Sequence, residues 1–583
     1  MKFDRCILLI VLFFLILCPK SYSQEPILMD GWPILIHEYH LFSAPMQGLT
    51  LYDIDGDGDL EIFMSLANKI YCFDYQGNAM PGWPYVNEDI NDEFANSPVI
   101  GDIDGDGTPE IVVDWEDAVE HHSELIALET DGTMCSGFPI DMANNNSAWQ
   151  LALYDLDGDG AMEIIIGLHQ SYPYEINELR VYNGQGEMLP GWPIEGLYTT
   201  GLAIGDIDND NSPEIIVSGA IWFDYVNQLF AYEADGTLHN GFPMGFGIPE
   251  DSFWVLTPPN LFDYNDDNFL EISQLFLNVD NEGYAAVVNE SGELLNGWPL
   301  FYGGFSTAGC SVAPTSVGSN EYGISFGESI FYGYDYLVDT NAHYYDGWPF
   351  WGGDSMAGNY DQPTIGDIDG DGSMDYIFNY NMTIMDSTGQ MGRIWALNQD
   401  GELLDYFPLW VLGTTFPGGV SLGDIDNDGI TEMAFETDYP TFGYPTQRIY
   451  VYKLDVITWE PERFPWPMSC HDPQHTNNLT YHPQTGVPYD DQTGLPRTPY
   501  LYQNYPNPFN AATTIKFGIP RAGKVKLDLY DLGGRKVAKI LEGDYPAGDR
   551  EIGFDGSGLP SGLYFYRLRF GDKSITRKMI LLK

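Results

Sequence analysis

Seven stretches of this 583-residue chain carry oxygen-bearing side chains at alternate positions. One of them, GDIDGDGTPEIVV from Gly101 to Val113, sets Asp102, Asp104, Asp106 and Glu110 at positions 1, 3, 5 and 9 of a loop, with the Thr108 carbonyl at position 7. The frame returns as Asp53, Asp55, Asp57 and Glu61; as Asp155, Asp157, Asp159 and Glu163; and as Asp206, Asp208, Asp210 and Glu214. It returns again as Asp263, Asn265, Asp267 and Glu271; as Asp367, Asp369, Asp371 and Asp375; and as Asp424, Asp426, Asp428 and Glu432. Carboxylates this close repel one another unless a cation bridges them. Alternate side chains on a sharply turning loop converge on one point, and glycine permits the left-handed turn. Several charged, hard oxygens are what calcium takes, whereas magnesium imposes a stricter octahedron and keeps more of its water. Asp-Gly pairs are also ordinary turn formers. Turn chemistry does not account for an acid at position 9, after the turn has ended, in all seven loops. The expected cofactor is calcium, about seven ions.

The elements that position these loops form a repeat. The loops are spaced by 49, 53, 51, 57, 104 and 57 residues, and the gap of 104 holds two units. Inside it, APTSVGSNEYGISFG from Ala313 to Gly327 keeps the frame but replaces the acidic loop with a short neutral one. Trp-Pro or Phe-Pro recurs at Trp32, Trp83, Phe138, Trp192, Phe242, Trp298, Trp348, Phe407 and Trp466, enclosing eight intervals that average about 54 residues. That period belongs to propellers or solenoids. Each unit parses as four short strands, with a Gly-containing hairpin turn between the third and fourth. Four antiparallel strands every fifty-odd residues describe a propeller blade, and radial repetition leaves only short, protected edges. The recurrent aromatics are expected to pack between neighbouring sheets.

The frame Asp-x-Asp-x-Asp-Gly-x-x-Glu before an apolar strand resembles the FG-GAP/VCBS repeats of integrin alpha-subunit propellers and of many secreted bacterial propellers. The resemblance covers about Gly31 to Cys470. It implies a calcium-stabilised propeller but no single activity, since such blades serve adhesins, lectins and polysaccharide lyases alike. Integrin-like propellers have seven blades, and eight units are counted here. The expected fold is therefore all-β: an eight-bladed propeller of four-stranded blades, with seven blades as the alternative, followed by a small immunoglobulin-like β-sandwich.

Both ends of the chain read as addresses. Lys2 and Arg5, the apolar run Ile7 to Leu17 and Ser21-Tyr-Ser23 before Gln24 make residues 1–23 a secretory signal. The propeller is expected over 24–475 and a polar, proline-bearing linker over 476–499. From Tyr500 onward, alternating strands are separated by Gly and Pro turns, enough for a small sandwich. LYQNYPNPFNAATTIKF, LYDLGGRKVAKIL and LPSGLYFYRLR resemble, in the expected order, the C-terminal sorting domain of type IX secretion substrates. That resemblance implies the type IX machinery as a partner, passage across an outer membrane and display at the cell surface. No stretch of the mature chain reaches membrane-spanning length.

Charge divides the chain in the same place. Residues before Tyr500 carry 10 basic and 78 acidic side chains, net −68, whereas the last 84 residues are net +6. Such a body repels nucleic acid and anionic membranes. Only seven basic residues lie between Gln24 and Pro499, too few and too scattered to neutralise the carboxylate of a polyuronate in a lyase. A glycosidase pair is the enzymatic alternative, with candidates at Glu116, Asp117, Glu120 and Asp251 beside His121 and His122. The preferred function is a surface-displayed binding or adhesion module for an extracellular glycan or protein. Its sharpest candidate site is the aromatic crowd Phe331, Tyr332, Tyr334, Tyr336, Tyr344, Tyr345, Phe350 and Trp351 in the metal-free sixth unit. His471, His475 and His482 lack the spacing of a soft-metal site. Cys72, Cys135, Cys310 and Cys470 allow three complete pairings, at this low density an accessory at most.

Overall fold

The computed structural model describes residues 25–581 apart from 38–47, 88–91, 118–121, 143–145, 171–176, 222–226, 247–256, 329–332, 352–361, 382–389, 440–445, 481–488, 491–494, 497–499, 502–508 and gaps of one to three residues. Strand follows strand throughout, as the period of the sequence requires. Among the described residues, eight antiparallel sheets succeed one another between Ile27 and Thr458. The first is typical: Thr50–Tyr52, Glu61–Leu66, Lys69–Phe73 and Tyr85–Val86 pair in chain order. The sheet containing the neutral unit, Ser311–Pro314 to Phe350–Trp351, is built the same way without an acidic loop. In the fourth sheet the outermost strand is reduced to one bridge, Leu229 to Met244.

Apolar residues alternate along the central strands onto both faces, so each sheet has two sides to bury. Eight hydrophobic clusters result, each between consecutive sheets. One packs Ile62, Met64 and Phe73 of the first sheet against Ile425, Ala434 and Val451 of the eighth. The ends of the series therefore meet. Ile27–Leu28 and Ile34–Ile36 close the circuit by pairing with Thr446–Thr458 of the eighth sheet. These are the marks of a propeller-like body.

The Trp/Phe-Pro markers sit at the seams, as packing requires. Trp32, Trp83, Trp192, Trp298 and Trp348 are buried, and each Nε1 donates to a carbonyl of the following sheet, at 2.8 to 3.2 Å. The glycine before each of the first seven markers lies against a turn of the following sheet, and Tyr406, at φ +70°, precedes Phe407. At Gly137, φ +100°, an added Cβ would stand 2.1 Å from the Gln185 carbonyl oxygen. Trp466 departs from the expected pattern. It follows no blade turn but is fully buried in the cluster between the sixth and seventh sheets, with its carbonyl accepting from Ile365 N at 2.9 Å.

Trp466 belongs to a segment, 464–479, that touches six sheets in turn. Ile365 N and Leu422 N donate to the carbonyls of Trp466 and Pro467, and Ile100, Leu153, Ile204 and Leu261 N donate to those of Pro473, Gln474, Thr476 and Asn477, all between 2.8 and 3.0 Å. Each donor lies on the first strand of its sheet. A first strand is an edge with unpaired backbone groups, and the hub satisfies them. Side chains add to this: Asn477 Nδ2 donates to Leu202 O at 2.9 Å and Asn478 Nδ2 to Ile204 O at 3.0 Å. That is why so polar a stretch is buried. Contacts of this segment with the sheets continue to Leu479, whose N donates to Leu261 O at 2.9 Å.

The tail forms two sheets, one from Tyr500–Leu501, Ala512–Ile519 and Gly548–Asp555, the other from Gly523–Asp531, Lys536–Tyr545, Gly562–Phe570 and Lys573–Leu581. Both contribute to one core that includes Ile515, Phe517, Leu527, Tyr566 and Leu568. The four cysteines of the mature body are buried, and none of them forms a disulfide among the described residues. Among the described residues no helix is long and apolar enough to cross a membrane.

Candidate metal centres

Each acidic loop joins the first and second strands of its sheet, and its own hydrogen bonds wind it. In the loop of the second sheet, Asp102 accepts from Gly105 N at 2.7 Å and from Gly107 N at 2.8 Å, while Asp104 accepts from Asp106 N at 3.0 Å. The residues at positions 4 and 6 are left-handed, Gly105 at φ +76° and Gly107 at φ +90°. Asparagine takes that role where glycine is missing: Asn209 and Asn211 in one loop, Asn268 in the loop at Asp263. The short side chain of asparagine tolerates this region better than other non-glycine residues do.

The acid at position 9 is the first residue of the second strand in most loops, and it is buried in all seven. One of its oxygens is always committed. The backbone N–H of position 2 donates to it in every loop, from Ile54 to Glu61 at 3.0 Å through Ile425 to Glu432 at 2.8 Å. The carboxylate is thereby pinned with its second oxygen on the loop. Ligand atoms of Asp53, Asp55 and Asp57, of Asp102, Asp104 and Glu110, of Asp155, Asp157 and Glu163, and of Asp206, Asp208 and Asp210 lie within 4.8 Å of one another in each set.

Without a cation this arrangement is costly. Burial, and then neighbouring carboxylates, push Glu61 and Glu110 up to about 8, Glu163 and Glu271 to about 7, and Glu214 and Glu432 to about 9, from an ordinary 4.5. Burial likewise raises Asp53 to about 6 and Asp424 to about 7, and holds Asp375 well above the usual carboxylate range. Asp208 Oδ1, Glu214 Oε1 and Asp367 Oδ1 are buried with no hydrogen-bond partner. Orphaned, convergent oxygens of this kind fit a hard divalent cation.

The loops are not equivalent. In the eighth sheet Lys453, opposite Glu432 in register, brings Nζ to 2.9 Å from Asp426, 2.6 Å from Asp428 and 3.2 Å from Glu432. In the seventh, the Arg463 guanidinium pairs with Asp367. In the fourth, His239 and Glu233 stand beside Glu214. In the fifth, Asn265 Nδ2 donates to Glu271 at 3.2 Å. Sequence spacing does not reveal Lys453, Arg463, Glu233 or His239, because each lies outside the loop it meets, whereas Asn265 belongs to its own loop.

The expected aromatic crowd gathers in part: the Tyr336 ring lies 6.4 Å from Tyr334 and 6.1 Å from Tyr344 between centroids, and Tyr334 pairs in register with Trp351. Tyr336 is core and donates to Glu328 at 2.6 Å, whereas Tyr334, Tyr345 and Phe350 are half-buried. Only Tyr344 and Trp351 are exposed, and Phe331 and Tyr332 lie outside the described residues. Of the glycosidase candidates, Glu116 and Asp117 end the strand Glu110–Asp117, in register with Ser123 and His122. Glu120, His121 and Asp251 lie outside the described residues, as do His482 and the signal segment. His471 pairs with Asp472 at 2.9 Å, and burial holds His475 down to about 4.

Comparison with known families settles the broader assignment. An FG-GAP-like repeat profile matches residues 53–113 and 155–217, and a secretion system C-terminal sorting domain profile matches residues 503–582. The chain carries FG-GAP-like repeats and a secretion sorting domain. The sorting domain directs it to the cell surface or extracellular space. The FG-GAP matches cover the loops beginning at Asp53, Asp102, Asp155 and Asp206. No curated protein matches the chain. Among solved structures it is similar to a lectin from Burkholderia pseudomallei, at 9% identity and TM-score 0.42 over 63% of this chain and 100% of that one. It is also similar to a quinonprotein alcohol dehydrogenase-like protein from Bacteroides thetaiotaomicron, at 10% identity and TM-score 0.34 over 61% and 74%. A third, AofleA from Arthrobotrys oligospora, has 12% identity and TM-score 0.30 over 55% and 90%.

Proposed function

We propose that the protein is a calcium-stabilised, eight-bladed propeller displayed at the cell surface, whose outer rim binds a neutral glycan. The observation that carries this reading is a series of exposed aromatics in one register. Two residues after the marker proline, on the outermost strand, Phe301, Trp351 and Trp410 of the fifth, sixth and seventh sheets are 52%, 53% and 42% exposed. Each stands opposite a third-strand partner. Tyr284 lies 5.1 Å from Phe301 between ring centroids, Tyr334 pairs in register with Trp351, and the Arg393 guanidinium lies 4.8 Å over the Trp410 ring. The equivalent residues of the second and third sheets are the exposed acids Asp141 and Glu195, so the aromatic character is confined to one arc.

Exposed aromatic faces stack on the C–H faces of sugars, and a rim position repeated from blade to blade suits a ligand with repeating units. The net charge of the body turns away polyanions, which favours a neutral glycan. Glycan-array binding by the intact protein tests the reading. Saturable binding to a neutral glycan is expected, falling at least about tenfold in W351A or W410A, which corresponds to about 1.4 kcal/mol. Binding unchanged in both variants, or turnover of the glycan in place of saturable binding, overturns it.

A further inference from the structure

The fourth sheet sets an imidazole beside the buried acid of its loop. In seven sheets the turn between the third and fourth strands is closed by the same backbone bond. Met80, Cys135, Leu189, His239, Leu295, Tyr345 and Leu404 donate from N to the carbonyls of Cys72, Ala127, Val181, Ala231, Val287, Leu337 and Ala396. These seven residues are structural equivalents, and His239 is the one imidazole among them. The residue six places earlier also differs. In five sheets it is Asp or Asn, whose short side chain accepts from N–H groups of its own turn, as Asn183 does from Gln185 and Glu187. In the second sheet it is Glu129, beside Cys135, and in the fourth it is Glu233, which reaches to His239, with Oε1 2.8 Å from Nδ1.

This pair faces the acidic loop. Ligand atoms of Glu214, Glu233 and His239 lie within 4.8 Å of one another. Glu214 is 0% exposed; its Oε2 accepts from Ile207 N at 2.8 Å, and its Oε1 has no partner. Asp208 Oδ1, in the same loop, is also buried and unpartnered. Calcium takes oxygen ligands, whereas an imidazole with two carboxylates is a donor set for zinc and neighbouring first-row metals.

We propose that the fourth acidic loop is a transition-metal site, holding one zinc-class divalent ion through Glu214, Glu233 and His239 with Asp208 alongside. The inference rests on the reading of the acidic loops as cation sites and is independent of the glycan. It gives the chain two kinds of centre, separated by one nitrogen donor.

The test uses the untagged full-length chain, stripped with EDTA, equilibrated with calcium and zinc together, and analysed for both elements after gel filtration. One zinc per chain is expected beside calcium. H239L installs the residue found at three equivalent positions, so the fold should persist, and its melting curve checks this; the zinc should be lost, with affinity falling more than about tenfold. E233N, which restores the side chain of sister turns, should weaken zinc without abolishing calcium. Cobalt loaded in place of zinc should give visible bands that H239L removes. Zinc retained unchanged in H239L, or calcium uptake without zinc in the wild type, overturns the inference while sparing the cation reading. Uptake of neither metal overturns both.

Discussion

Lys453 brings its own positive charge to an acidic loop. Its ammonium lies within ion-pair distance of Asp426, Asp428 and Glu432, the residues that elsewhere surround the cation position. Replacing it should create a demand for an ion. K453M is expected to bind about one more calcium per chain than the wild type and to lose more melting temperature on chelation; an unchanged calcium count would show that the lysine does not stand in for metal. The buried position-9 acids give a second prediction, in pH. Glu61 and Glu110 are raised from 4.5 to about 8, and Glu163 and Glu271 to about 7. An acid whose pKa is higher in the folded state favours folding in its protonated form. That contribution is complete below about pH 4.5 and is lost as the pH rises through 7 to 8. In EDTA the melting temperature should therefore fall between pH 5 and pH 9, whereas saturating calcium should remove the decline. Parallel pH curves with and without calcium would refute it. At this scale the ligand frame was legible because it is local, nine residues on one turn. Lys453 and His239 were not, because each meets its loop only through strand register.

Between elements, the seams carry the strain. Gly137 combines φ +100° with a carbonyl oxygen 2.1 Å from where a Cβ would stand, whereas Gly318, at φ +74° in the neutral loop of the sixth sheet, has open space around it. G318A should cost only the left-handed backbone penalty, about 1 to 2 kcal/mol. G137A must in addition push the second and third sheets apart, about 1 to 3 kcal/mol more. Denaturant melts of both variants compare the two terms, and equal losses would mean that the seam yields freely. The sheets themselves could be read from the period of the chain, even the sixth, where the frame survives without its acids. The ninth aromatic marker misled, since Trp466 shares the dipeptide but sits on the hub. Dipeptide chemistry is the same in both places, and only the surroundings differ. The closing pairs, Ile34 with Ile449 and Ile36 with Gln447, join opposite ends of the body and leave no local trace.

For the molecule as a whole, the hub and the tail have separate duties. A chain ending at Leu479 keeps every hub contact and should melt like the intact body, whereas one ending at Arg463 exposes the first-strand edges of six sheets and should melt far lower or not fold. Equal melting of the two truncations would reduce the hub to a passenger. The chain ending at Leu479 should also remain behind the outer membrane of its host, because it lacks the sorting domain matched over 503–582. Its normal display at the surface would contradict that role. Composition foretold the division between acidic body and basic tail, but it read the end of the hub as linker: Thr476 to Asn478 is polar and looks solvated until the edges it covers are known.

The hub also fixes a schedule. Ribosomes deliver the chain from the N-terminus, and domains ordinarily fold as they emerge. Here Ile27–Leu28 must wait for Thr446–Thr458, and the first strands of six sheets must wait for residues 464–479. Neither the circle nor its axle is complete until almost all of the body has been made, a few tens of residues before the export signal itself. Until then the chain lacks the pairings that close its circuit and the segment that covers its first-strand edges. The segment that ends this period is the last one made before the address that dispatches the finished protein.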